Sequence, residues 1–183
     1  MMGWLREQRL PFALVGVLGA AAVALTLAID WVPYRESQPV DVARVAAGDR
    51  GALGGAGFRV LEVSRIAGSS AAGAELEVAE DAVLLVARLE VEPGDAAERG
   101  VLPCTLKLVE PGGGVETRWA TASFDSTSYR PPEGVESFCP SGSAAPFELD
   151  AVFVLPADAA ERVELEISDL QELPRALRLE LAS

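Results

Sequence analysis

The 183-residue chain has no histidine and no asparagine, and Lys107 is its single lysine against fourteen arginines. Each absence closes a class of function. Without His there is no Ser-His-Asp or Cys-His machinery and no imidazole ligand for a metal. Without Asn there is no N-glycosylation acceptor. Cysteine is scarce: Cys104 and Cys139 are the only two, and neither falls in the first hundred residues, which excludes a lipid carried on an N-terminal cysteine. Positive charge is short as well. The net charge of −13 lies wholly beyond residue 30, because Arg6 and Arg9 cancel Glu7 and Asp30. A polyanion repels phosphate backbones and anionic headgroups, so nucleic acid is excluded as a partner and cationic partners are favoured. The preference for Ala and Arg over Lys and Asn is that of a GC-rich bacterial coding sequence.

What is present begins with a hydrophobic run. Residues 10–29 read LPFALVGVLGAAAVALTLAI without a charge, and as a helix rising about 1.5 Å per residue they span a hydrocarbon core of about 30 Å. Arg6 and Arg9 precede the run while Asp30 and Glu36 follow it, so the positive-inside bias puts residues 1–9 in the cytoplasm and the rest outside. Trp31 and Tyr34 are then placed at the outer interface. The rival reading is a cleaved signal peptide at Ala22-Val23-Ala24, which would leave apolar Leu25 to Ile29 at the head of the mature chain. Gly16, Ala20, Ala24 and Ala28 form a small-residue stripe, either a helix-packing face or the chance spacing of an Ala-rich segment.

Residues 30–57 are rich in Gly, Pro and Ala and read as a tether with a possible first strand. Residues 58–183 are expected to form one all-β domain, a sandwich of about seven strands: Phe58 to Ile66, Val83 to Val91, Thr105 to Glu110, Val115 to Ser123, Phe147 to Leu155, Val163 to Ser168 and Ala176 to Leu181. Alternation carries the reading. Val163, Leu165 and Ile167 oppose Glu164 and Glu166, and Leu177, Leu179 and Leu181 oppose Arg178 and Glu180. VLLVARLEV at Val83 to Val91 is apolar on both faces in its first half, as in a strand covered on both sides. Pro111 to Gly114 signals a hairpin turn. The C-terminal run from Ala157 is rich in helix formers, but Pro156, Pro174 and the period of two leave room only for helical turns near Ala157 to Ala160 and Leu170 to Leu173.

Two features stand out as candidate sites. Cys104 and Cys139, an even pair on the expected outer side, read as a disulfide. Between them, residues 123–146 form a polar stretch too long for a tight turn, with Tyr129, Arg130 and Phe138 as a possible recognition loop; an ordinary connection between sheets explains it equally well. The carboxylates lack a calcium-loop signature and mostly alternate with core positions, so a solvated face is expected, with Asp125 and Asp150 the hardest to dismiss. No constellation points to an enzyme or a cofactor.

GFRVLEV at Gly57 to Val63, VLLVARLEVEP at Val83 to Pro93, PGGGVETRW at Pro111 to Trp119 and FELDAVFVLPAD at Phe147 to Asp158 carry a resemblance. The chain resembles the bacterial extracytoplasmic immunoglobulin-like domains of the DUF4352 and MPT63-like type over most of residues 48–181. It departs from them in lacking the Asn they often carry after the second of these strands and in adding the two cysteines. The resemblance implies a β-sandwich that binds or positions something in the cell envelope, with no catalytic residues to carry over. The expectation is therefore a membrane-anchored, non-enzymatic binding or interaction module whose partner is an envelope or membrane protein. The alternatives are a thiol- or carboxylate-dependent envelope enzyme and a purely structural envelope protein.

Overall fold

The computed structural model describes residues 17–26, 29, 38–100, 102–112, 116–123, 126–140 and 143–182. They fall into two units, residues 1–38 and 39–183. In the first, residues 17–26 and 29 are helical, and the Thr26 hydroxyl donates back to the Ala22 carbonyl at 3.0 Å. Among the described residues no helix is long and apolar enough to cross a membrane. The anchor expected over 10–29 is thus not shown; of that run only residues 17–26 and 29 are described, and they are helical. Residues 10–16, 27 and 28, which include Gly16 and Ala28 of the small-residue stripe, lie outside the described residues, as do Trp31 and Tyr34.

In the second unit the period of two becomes strands, and the described residues form ten where the sequence predicts seven. These are β1 (Asp41–Val45), β2 (Arg50–Leu53), β3 (Ala56–Ala67), β4 (Ala82–Glu92), β5 (Thr105–Glu110), β6 (Thr117–Ala120), β7 (Val135–Glu136), β8 (Phe147–Pro156), β9 (Glu164–Ser168) and β10 (Arg175–Glu180), with short helices α1 (Ala71–Glu75) and α2 (Gly94–Arg99). Each of the seven expected runs contains a strand, although of Val115 to Ser123 only Thr117–Ala120 is one, Val115 lying outside the described residues. The three additions have physical reasons. β1 pairs in parallel with β10 but turns little apolar surface inward. β2 and β3 form a hairpin whose two-residue turn, Gly54-Gly55, takes positive φ at both positions (53° and 72°), a geometry glycine adopts without strain. β7 is two residues long and gives no periodic signal.

The strands build two five-stranded sheets, ordered β1-β10-β9-β5-β6 and β2-β3-β4-β8-β7. Their inner faces share one core, with Phe58, Leu85, Leu89, Leu108, Phe153, Leu165 and Leu179 at its centre. Burying a large apolar side chain contributes about 1.5 to 3 kcal/mol, so the fold rests on this layer. A bulge between Val60 and Glu62 shifts the parity of β3, turning Val63 inward and Ile66 outward. β4 is covered on both sides, as its sequence predicts: Val83, Leu85 and Ala87 face the main core, while Leu84 and Val86 join Val78 in a second cluster. α1 lies at the edge of that cluster. Ser70 caps it by accepting the Gly73 N–H at 3.0 Å, and a side chain at Gly73 would strike the Ala67 carbonyl.

The C-terminal run keeps its strands against helix propensity. Only turns remain of the helical alternative: Ala159 N–H to Pro156 carbonyl at 3.1 Å, and Glu172 and Leu173 N–H to Asp169 carbonyl at 3.1 Å each.

Candidate functional site

The long connection after β6 does not hang free, because Thr127 and Ser128 bond the residues that end α1. Thr127 Oγ1 donates to the Leu76 carbonyl at 3.0 Å, Ser128 N–H donates to the same carbonyl at 3.1 Å, and the Ser128 hydroxyl bonds the Glu77 carboxylate. These bonds lower Tyr129 onto the outer face of β4 and β8, where its ring packs against the cluster of Val78, Leu84 and Val86.

The Tyr129 hydroxyl donates to Asp150 Oδ2 at 2.7 Å. Asp150 stands directly opposite Arg88 in the β4–β8 register. Arg88 Nε donates to Asp150 Oδ1 at 2.9 Å and Arg88 Nη2 to Oδ2 at 3.1 Å. The Asp150 side chain is fully buried, while that of Arg88 keeps about a quarter of its surface. Burial, followed by the hydrogen bond to the Asp150 carboxylate, pushes the Tyr129 phenol up to about 12. The hydrogen bond with Asp150 holds the Arg88 guanidinium above its ordinary value. Both Asp150 oxygens are therefore occupied, and Tyr129 keeps its proton at neutral pH. As chemistry the triad is a strut that fixes the connection to β8, not a poised acid and base.

Beside the strut the two sheets part and leave a cavity of about 500 Å³, walled by Leu106, Leu149 and the Cys104–Cys139 bridge, with Tyr129 and Phe138 at its margin. That is the size at which pockets accept small ligands or anchoring side chains. Cys104 and Cys139 are joined across a Cα–Cα distance of 6.2 Å, so the expected disulfide is present and serves as one wall. Of the three residues proposed for recognition, Tyr129 and Phe138 border this one pocket. Phe138 leaves 62% of its surface exposed. Arg130 does not border the pocket; its Nη1 donates to the Tyr129 carbonyl at 2.6 Å and the residue is exposed.

Asp125 lies outside the described residues. Among the described residues no group of three or more His, Cys, Asp or Glu is arranged to hold a metal ion. Sequence reasoning passed over Arg88, yet a signal was there. Arg88 in VLLVARLEV and Asp150 in FELDAVFVL are opposite charges near the middle of two strands rich in apolar residues, and cross-strand pairing is what makes such charges tolerable there.

No family model matches the chain, and no curated protein matches it. Among solved structures it is similar to an uncharacterized beta-sandwich protein from Clostridium difficile 630. The two share 7% identity and a TM-score of 0.40, with 78% of this chain and 95% of that one covered.

Proposed function

We propose that the chain is a non-enzymatic binding module of the bacterial cell envelope, held at the membrane by residues 10–29 with its β-sandwich on the extracytoplasmic side. The observation that carries the binding reading is the pocket itself: a recess of about 500 Å³ lined by both apolar and polar side chains, walled in part by the disulfide and bordered by an exposed Phe138. An aromatic ring left in water beside a recess supports recognition, since such rings anchor partners at low entropic cost.

The membrane reading is supported by the charge pattern around residues 10–29 and by the helical residues described there. Val17, Leu18, Val23, Leu25 and Ile29 each expose 60% or more of their surface, and a helix apolar all round suits lipid. The disulfide fits an oxidising compartment. The strand order β3-β4-β8-β7 against β10-β9-β5 supports an immunoglobulin-like sandwich, in which four strands face three in the same order. Kinship with the DUF4352 and MPT63-like domains belongs to this proposal.

In-cell photocrosslinking tests it. A photoreactive residue at position 138 of the full chain should capture a discrete partner, whereas one at Leu61, an exposed position outside the pocket, should not. Equal capture from both positions, or none from either, would sink the pocket as a recognition site. Exchange of residues 10–29 for an unrelated anchor should leave the crosslink at 138 in place.

A further inference from the structure

We infer that the pocket takes a small uncharged molecule, built of a planar apolar ring and one or two neutral hydrogen-bonding groups such as a hydroxyl or an amide. The inference rests on the binding reading above and names the ligand class of that same site.

The charge of the wall decides first. Among the described residues that line the pocket Asp150 is the only charged one, and it is spent. Its Oδ1 accepts from Arg88 Nε at 2.9 Å, and its Oδ2 accepts from Arg88 Nη2 at 3.1 Å and from the Tyr129 hydroxyl at 2.7 Å. With the Asp150 side chain fully buried, a ligand ammonium group finds no carboxylate to pair with. An anion fares no better. Neither Arg88 nor Arg130 lines the pocket, and a net charge of −13 repels negative groups from a distance. Glu133 and Glu136 of the same connection are not lining residues either, so their pull on a cation acts through water, where salt screens it. A charge brought into the recess gives up its water without gaining a counter-ion, a cost that a neutral group escapes.

The rest of the wall divides into surface for a ring and groups for its substituents. Leu106, Leu149, Val152 and the Cys104–Cys139 bridge supply apolar and polarisable surface, and Phe138 supplies an aromatic ring. Phe138 leaves 62% of its surface in water, which a stacked ligand ring would cover. Beyond Tyr129 and Asp150, the polar side chains of the wall are all hydroxyls. That of Thr127 is engaged, donating to the Leu76 carbonyl and accepting from the Tyr129 N–H. Thr121 and Ser123 are exposed and Ser137 is half-buried. A hydroxyl both donates and accepts, so this set matches an alcohol or an amide and offers nothing to an ion. At about 500 Å³ the recess is of the size that encloses such molecules.

The test screens the full chain, in nanodiscs of zwitterionic lipid, by NMR against a fragment library in which each ring skeleton is present as primary amide, carboxylate and amine. The amides should shift the signals of Leu106, Val152 and Phe138, and the matched acids and amines should bind about tenfold or more weakly. Phe138→Ser, at an exposed position, should weaken the best amide by about tenfold. Thr121→Val with Ser137→Ala should lower that amide to the affinity of its unsubstituted ring. Acids or amines that bind as tightly as their amides, or amides indifferent to the loss of the Phe138 ring, would overturn the inference. The adduct captured in cells at position 138 separates the two readings. A protein-sized adduct, with no amide acting on the pocket, would end the small-molecule inference and leave the binding reading standing. With neither an adduct nor an amide bound, both fall.

Discussion

On the outer face of the β2-β3-β4-β8-β7 sheet, Arg88 and Asp150 lie beneath a stretch of chain, whereas on the outer face of the β1-β10-β9-β5-β6 sheet Arg178 and Glu166 lie beneath other charged side chains. Arg178 Nη1 and Nη2 each donate to Glu116 at 2.7 Å, and its Nε and Nη2 reach Glu166 Oε2 at 3.0 and 2.7 Å. Arg118 pairs with Glu116 at 2.7 Å, and Arg44 with Glu164 at 3.5 Å. Alternation placed Glu164, Glu166 and Arg178 opposite the core, which is where they stand. Yet Glu166 and Arg178 are only 1% and 2% exposed, so the solvated face expected for these carboxylates is closed by their own pairing. The face sealed by chain has a recess at its margin, which is why the candidate site lies there.

The largest expected effect breaks the all-side-chain seal. Arg178→Met leaves buried Glu166 with only the longer contact from Arg118 Nε at 3.4 Å and should cost about 3 kcal/mol in denaturant unfolding, whereas adding Glu166→Leu should recover most of that loss. A single-variant cost below about 1 kcal/mol would show that water already reaches the network. Neither change should alter capture at position 138, since the pocket belongs to the other face. Second in size is the disulfide. Replacing both Cys104 and Cys139 by Ser releases a bridge between residues 35 apart and should cost about 3 to 4 kcal/mol by chain entropy. Here the pocket should fail too, because the bridge is its wall. Retained crosslinking at position 138 in the reduced-loop variant would separate the disulfide from recognition.

Between these two faces lies the boundary of what the residues disclose. Period-two runs such as Val163 to Ser168 are legible because each alternate side chain meets the core. β7 is not, and β1 only as a possible first strand without bounds, because a short edge strand is held by backbone bonds that leave no mark on side-chain pattern. The Gly54-Gly55 turn is legible in principle, as two glycines between candidate strands, but the Gly, Pro and Ala content of residues 30–57 reads as a tether with a possible first strand. Of the site, the disulfide and the long connection could be read, and Tyr129 and Phe138 with them. The inward turn of Tyr129 could not be, since it depends on Thr127 and Ser128 finding the end of α1, a contact between segments about fifty residues apart.

A smaller effect sharpens the chain-sealed face. Tyr129→Phe removes one donor from a buried carboxylate that keeps both bonds from Arg88, so a loss of about 1 to 2 kcal/mol is expected. The ring still covers Leu84 and Val86. Amide exchange should therefore quicken around residues 126–129 while β4 and β8 stay protected; global unfolding of the variant would mean that the strut holds far more than the connection.

The subtlest difference between the faces is their response to pH, and it runs in opposite directions. The Glu116 carboxyl is held below its ordinary value of 4.5, first by the hydrogen bond from Arg178. A depressed carboxyl contributes stability that is fully present above that ordinary value and lost as pH falls through the lowered one. Acid should thus loosen the all-side-chain seal first. Tyr129 is raised from 10.0 to about 12, so its contribution is fully present below pH 10.0 and lost as pH rises towards about 12. Alkali should loosen the chain-sealed face. The protein has two tyrosines, and in a Tyr34→Phe variant the remaining phenol reports Tyr129 alone by its ultraviolet absorbance. A midpoint near the raised value supports the strut to Asp150, and its return towards 10.0 in an added Asp150→Asn background would assign part of the shift to the charge rather than to burial. An unshifted midpoint in the parent variant would mean that the phenol faces water and that Tyr129 is not docked on β8.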